Sequence, residues 1–222
     1  VTDPAAVPPS RPAPGAALLE AVAVMDRLRS PGGCPWDAAQ THASLVRYLV
    51  EECFELVQAI EDGNAAAVRE ELGDVLLQVL FHARIAAERA GSADGFTIDD
   101  VAGDLVDKLV RRHPHVFADD AALTDADEQQ QRWDELKKTE KGRSGPLAGV
   151  AMAAPSMALA GKLGARARKF DAHADLPAGD GWAEQVFRLA YAAGAAGEDP
   201  EVAVRAVARA HAERMRALDA GT

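Results

Sequence analysis

An all-α fold is predicted by three features of this sequence. Apolar residues recur three and four positions apart over long stretches. Alternating β-branched runs are absent, and alanine is abundant while aromatic residues make up only 5%. With 222 residues, 48% hydrophobic and 27% charged, the chain can bury one good-sized domain with an appendage, or two small ones. The expected architecture is a bundle of four to five helices followed by an Ala-rich helical appendage.

In chain order, residues 1–14 carry Pro4, Pro8, Pro9, Pro12 and Pro14 among small residues and read as a disordered leader. A helix over about 16–29 follows, with Leu18, Leu19, Val22, Met25 and Leu28 as its stripe. Ser30-Pro31-Gly32-Gly33 ends it, and Cys34 to His42 reads as a loop in which Trp36 is an aromatic anchor on the helical core. Ser44 is the expected cap of the next helix, about 44–61. Leu45, Leu49, Cys53, Leu56 and Ile60 form its apolar stripe.

Glu61-Asp62-Gly63-Asn64 is a turn signal, with Asn64 placed to cap a third helix over about 65–90. Its stripe is Val68, Leu72, Val75, Val79 and Ala83. Gly91 to Gly95 breaks it. Thr97 and Asp100 make a capping-box-like start for a helix with Val101, Leu105 and Leu109 in line, ending in Lys108, Arg111 and Arg112. A mostly polar helix is expected over about 125–141, with Trp133 and Lys137 one turn apart. Residues 144–155 read as a linker, and helices are expected over about 156–170, 182–196 and 200–219, with Asp199 as cap and Pro200 at the first position of the last.

Two acidic signatures stand out against this background: Glu51-Glu52-Cys53-Phe54-Glu55 and Glu71-Leu72-Gly73-Asp74. On a helix Glu52 lies at the edge of the apolar stripe with Glu55 one turn along, and Glu51 falls toward solvent. Glu71 and Asp74 repeat this on the next helix, with Glu70 outside. A tight αα-hairpin would bring both pairs to one seam. Two carboxylates about 4 Å apart repel by roughly 4 kcal/mol at an effective dielectric near 20. Protonation or splaying into water would relieve the repulsion, and so would a hard divalent ion. An all-oxygen donor set of this kind suits Mg²⁺, or Mn²⁺ in its place.

The formal net charge of −11 argues against binding polymeric nucleic acid over a broad surface, while leaving room for a single nucleotide bridged by a metal. Cys34 and Cys53 make no disulfide framework and lack zinc-ligand spacing, so a reducing cytoplasm is the expected compartment. No apolar run reaches the roughly 18 residues of a membrane span, and no signal-peptide pattern is present at the N-terminus. Lys108 and Arg112 share a helix face. They suit either the helix dipole or phosphate contact near a metal, and Trp133 suits either packing or stacking on a base.

The run Gly33-Cys34-Pro35-Trp36-Asp37 with Gln40-Thr41-His42, the two acidic signatures, and Lys108 through Phe117 together resemble the MazG family over about residues 16–141. The resemblance implies an all-α nucleoside triphosphate pyrophosphohydrolase that cleaves NTPs to NMP and pyrophosphate with Mg²⁺. It implies Glu52, Glu55, Glu71 and Asp74 as metal ligands and Glu51 as a water-orienting carboxylate. Lys108, Arg112, Trp133 and Lys137 fall where similar proteins contact phosphate and base. On this reading residues 15–143 are the catalytic domain.

Residues 156–222 resemble a second MazG-like half that lacks its first acidic helix. Gly181 to Phe187 stands where the second Glu-x-x-Asp helix would be, without the pair. That half is expected to serve packing or dimerisation in a homodimer. Two rival readings are a non-catalytic helical interaction module and a di-iron carboxylate protein. The second characteristically needs Glu-x-x-His, and no histidine of this chain has Glu three residues before it.

Overall fold

Capping side chains begin four of the helices of the computed structural model, which describes residues 13–118 and 145–219. The regular structure of these residues is helical. One compact unit contains α1 (Ala16–Arg29), α2 (Pro35–Ala39), α3 (His42–Glu61), α4 (Ala65–Ala87), α5 (Ile98–Arg112) and α6 (Pro114–Phe117). A second contains α7 (Ser156–Phe170), α8 (Trp182–Ala196) and α9 (Pro200–Asp219). The helix expected over 125–141, with Trp133 and Lys137, lies outside the described residues, as does the leader through residue 12.

Asn64 caps α4 as expected, its Oδ1 accepting from the amides of Ala66 and Ala67 at 3.2 Å each. Thr97 and Asp100 form a reciprocal capping box on α5, which holds the Asp100 carboxyl below its ordinary range. Asp199 Oδ1 accepts from the amides of Glu201 and Val202, with Pro200 opening α9. The start of α3 corrects the sequence reading. Thr41, not Ser44, is the cap: its Oγ1 accepts from Ser44 N at 3.1 Å while Ser44 Oγ accepts from Thr41 N at 2.9 Å. The extended backbone of Thr41 ends the preceding segment, so the helix begins at His42. The expected loop before it contains the short α2, with Pro35 in its first turn.

The core of the first unit gathers Met25 from α1, Leu45 from α3, and Leu80, Phe81 and Ile85 from α4, flanked by Tyr48, Leu76 and Ile98. Leu45 is 1% exposed. Trp36 is 51% exposed and touches this core edge-on, at Tyr48 and Phe81. Only part of each expected apolar stripe is buried. Cys53, Ile60, Leu72 and Val79 remain exposed, as do Leu105 and Leu109 on α5. The reason is coverage: α1 meets α4 through Met25, Asp26 and Arg29 near its C-terminal end, leaving the other half of the α3–α4 hairpin without that helix.

Arg29 locks that covered end. Its side chain is 3% exposed and lies over the Phe81 ring. Nε and Nη2 donate to the two carboxylate oxygens of Glu88 at 2.8 and 3.0 Å, and Nη1 donates to the carbonyls of Asp37 and Gln40. The guanidinium holds the Glu88 carboxyl below its ordinary range.

The alanine and glycine content of the second unit has a packing explanation. α7 and α8 cross so closely that a Cβ on Gly164 would overlap the Tyr191 carbonyl oxygen, and one on Gly194 would overlap the Gly161 carbonyl oxygen. Ala160, Ala167 and Ala190 are buried along the same pair of helices.

Candidate metal centre

The α3–α4 hairpin positions the acidic side chains through helical periodicity alone. Positions 52 and 55 lie one turn apart on α3, and 71 and 74 one turn apart on α4. Packing of the two helices then brings carboxylate oxygens of Glu52, Glu55 and Glu71 within 4.8 Å of one another. Asp74 is outside that group, but its charge acts on both Glu52 and Glu71. Glu52, Glu71 and Asp74 are half-buried, whereas Glu51, Glu55 and Glu70 are exposed.

The electrostatics follow from this crowding. Glu52 is pushed above the ordinary glutamate value by burial first, then by Asp74, Glu55, Glu51 and Glu71. Glu71 is pushed up by loss of solvent, then by Glu55, Asp74 and Glu70. The charges that push these two groups up are all carboxylates. Oxygen-only donors from two helices, crowded by one another's charge, fit a hard divalent ion. They do not fit a di-iron centre with histidine ligands, since His42 and His82 pair with each other, Nδ1 to Nδ1 at 2.7 Å, toward the covered end of the hairpin.

Lys108 is exposed and Arg112 half-buried in the last two turns of α5, and neither is among the charges acting on Glu52 or Glu71. One residue of the seam escaped the sequence reading. Gln78, four positions after Asp74, is 4% exposed, and its Oε1 has no hydrogen-bond partner among the described residues. Its signal was present: it is the single polar residue in the run Val75 to Phe81.

A helical-hairpin protein with a carboxylate cluster suited to a divalent cation is the class that this fold and site define. The MazG nucleotide pyrophosphohydrolase domain matches residues 40–117, which include both acidic signatures. An uncharacterized 26.1 kDa protein from the blaB 3′ region of Streptomyces cacaoi is 49% identical over 215 residues, covering 96% of this chain and 87% of that protein. The nucleoside triphosphate pyrophosphohydrolase/pyrophosphatase MazG of Thermotoga maritima is 50% identical over 129 residues, 58% of this chain and 47% of that protein. The nucleoside triphosphate pyrophosphohydrolase of Mycolicibacterium smegmatis is 48% identical over 168 residues, 74% of this chain and 50% of its own. The chain belongs to the MazG family of nucleotide pyrophosphohydrolases, a family of hydrolases acting on acid anhydrides. It spans about half the length of the Thermotoga and Mycolicibacterium pyrophosphohydrolases.

Proposed function

We propose that this protein is a Mg²⁺-dependent nucleoside triphosphate pyrophosphohydrolase that serves the upkeep of nucleotide pools. The observation that carries the reading is the meeting of Glu52, Glu55 and Glu71 within 4.8 Å, inside the segment that matches the family. These three, with Asp74 as the fourth, would hold the ion; Mn²⁺ would substitute. When bound, the ion supplies Lewis-acid stabilisation of phosphate charge and a lowered pKa for bound water.

The remaining roles belong to the chain's own side chains. Glu51, exposed beside Glu52, orients the attacking water and accepts its proton. A new bond forms from the water oxygen to the α-phosphorus, and the bond from that phosphorus to the α–β bridging oxygen breaks. Pyrophosphate leaves with the electron pair, and Lys108 and Arg112 neutralise its charge. Trp133 and Lys137, outside the described residues, are assigned to base and phosphate by the family resemblance alone. Chromatography of the ATP reaction tests the bond cut. AMP and pyrophosphate in equal amounts are expected; ADP and orthophosphate as primary products would refute the assignment.

The exposed apolar residues of α5, Leu105, Val106, Leu109 and Val110, support a homodimer, because no other described residue covers that stripe. Residues 156–222 serve packing or dimerisation on this reading. Light scattering should give about twice the 23.4 kDa chain mass, and a monomer at micromolar concentration would remove the dimer. No helix among the described residues is long and apolar enough to cross a membrane. Cys34 and Cys53 are free thiols, which suits a reducing cytoplasm.

A further inference from the structure

The seam between α3 and α4 does not turn apolar directly behind the carboxylates. One turn beyond Asp74, Gln78 occupies the same face of α4, and one further turn on is His82. Side chains on a helix lean toward its N-terminus and cover the preceding turn, which directs a side chain at position 78 toward the turn that carries Asp74. Gln78 is 4% exposed, yet Oε1 accepts nothing from any described residue. An orphaned buried amide oxygen weakens a fold, and an apolar side chain of equal length would avoid the loss. A polar residue at such a position needs a partner that no described residue supplies.

We infer that Gln78 is a positioning residue of the metal centre, its Oε1 accepting a hydrogen bond from a water carried by the bound divalent ion. This inference rests on the metal-binding reading of Glu52, Glu55, Glu71 and Asp74. Mg²⁺ surrenders its waters reluctantly and is held through few protein oxygens. A neutral acceptor behind the carboxylates therefore adds a fixed contact to the hydrated ion without adding to their mutual repulsion. Groups that orient ligands and waters in this way commonly change metal affinity by about 10- to 100-fold when removed. His82 has its own orphaned atom, Nε2, and its Nδ1 is committed to His42. An internal water shared by Gln78 and His82 is therefore the competing arrangement.

The test is Mn²⁺ and Mg²⁺ binding to the full chain by calorimetry, without nucleotide, for the wild type, Gln78→Met and Gln78→Glu. Met keeps the volume and removes the acceptor; Glu keeps an acceptor oxygen. Gln78→Met should bind the ion at least about tenfold more weakly, while the melting temperature of its metal-free form stays level or rises. Gln78→Glu should bind the ion more tightly than Gln78→Met. Wild-type ion affinity in Gln78→Met overturns the inference, and a marked fall in its metal-free melting temperature does so too, because it assigns Gln78 to the water shared with His82. Failure of the wild type itself to bind either ion would instead remove the metal-centre reading on which the inference stands.

Discussion

Glu71→Gln should lower Mg²⁺-dependent turnover by at least about 100-fold while leaving helical content unchanged. Groups that only orient a ligand cost about 10- to 100-fold in metal affinity or activity when lost, so loss of a ligand itself should cost no less. Glu71 is one of three carboxylates within 4.8 Å and sits on a helix whose cap and core contacts lie elsewhere, so the fold should survive. Removing one charge from a repelling set should also raise the melting temperature of the metal-free protein.

The pH dependence has a definite sign. Glu52 and Glu71 both have folded-state pKa values raised above 4.5. Their contribution to stability is fully present below the unfolded value and is lost as pH rises through the folded value. Metal-free wild type should therefore lose melting temperature relative to Glu71→Gln as pH rises above 4.5, and added Mg²⁺ should restore it. Thermal melts in chelator across a pH series, paired with turnover at limiting Mg²⁺, measure both effects. Wild-type turnover in Glu71→Gln would remove Glu71 from the metal centre.

Glu88→Ala should destabilise the first unit strongly without touching the acidic cluster. It strips two acceptors from Arg29, a cation whose side chain is 3% exposed. Breaking one side of a fully buried ion pair costs about 3–5 kcal/mol. The Glu88 side chain is 39% exposed and Arg29 retains the Asp37 and Gln40 carbonyls, so solvent screening lowers the expectation to about 2–3 kcal/mol. For a unit of this size the melting temperature should fall by roughly 10 °C.

Because the folded pKa of Glu88 is depressed, its contribution is present above the unfolded value of 4.5 and is lost as pH falls through the folded one. The gap between wild type and Glu88→Ala should therefore close in acid. Residue 88 is seventeen positions along α4 from Glu71, about 25 Å at 1.5 Å per residue, so turnover per folded molecule should not change at temperatures well below the transition. Equal melting temperatures at neutral pH would show that the Arg29 clamp contributes nothing.

Much of this protein was legible in local sequence because helical geometry repeats every 3.6 residues whatever surrounds it. The all-helical class, the caps at Asn64, Thr97 and Asp199, and the placing of Glu52 with Glu55 and Glu71 with Asp74 on helix faces need only neighbours a turn away. At the start of α3 local sequence was ambiguous, since Thr41 and Ser44 are both good caps and each bonds the other's amide. Tertiary packing decided the rest. Periodicity says which residues share a face, not which helix covers it. Leu45 and Ala83 are buried while Leu72, on the same predicted stripe as Ala83, is 52% exposed, because α1 reaches the Leu80 to Glu88 end of α4. The same packing carried Arg29 to Glu88 across 59 positions of sequence, left the Gln78 amide oxygen without a partner among the described residues, and drew three carboxylates from two helices within 4.8 Å. A one-dimensional pattern can put like charges on the faces of two helices; only the crossing of those helices forces the charges together, and with that the need for a cation.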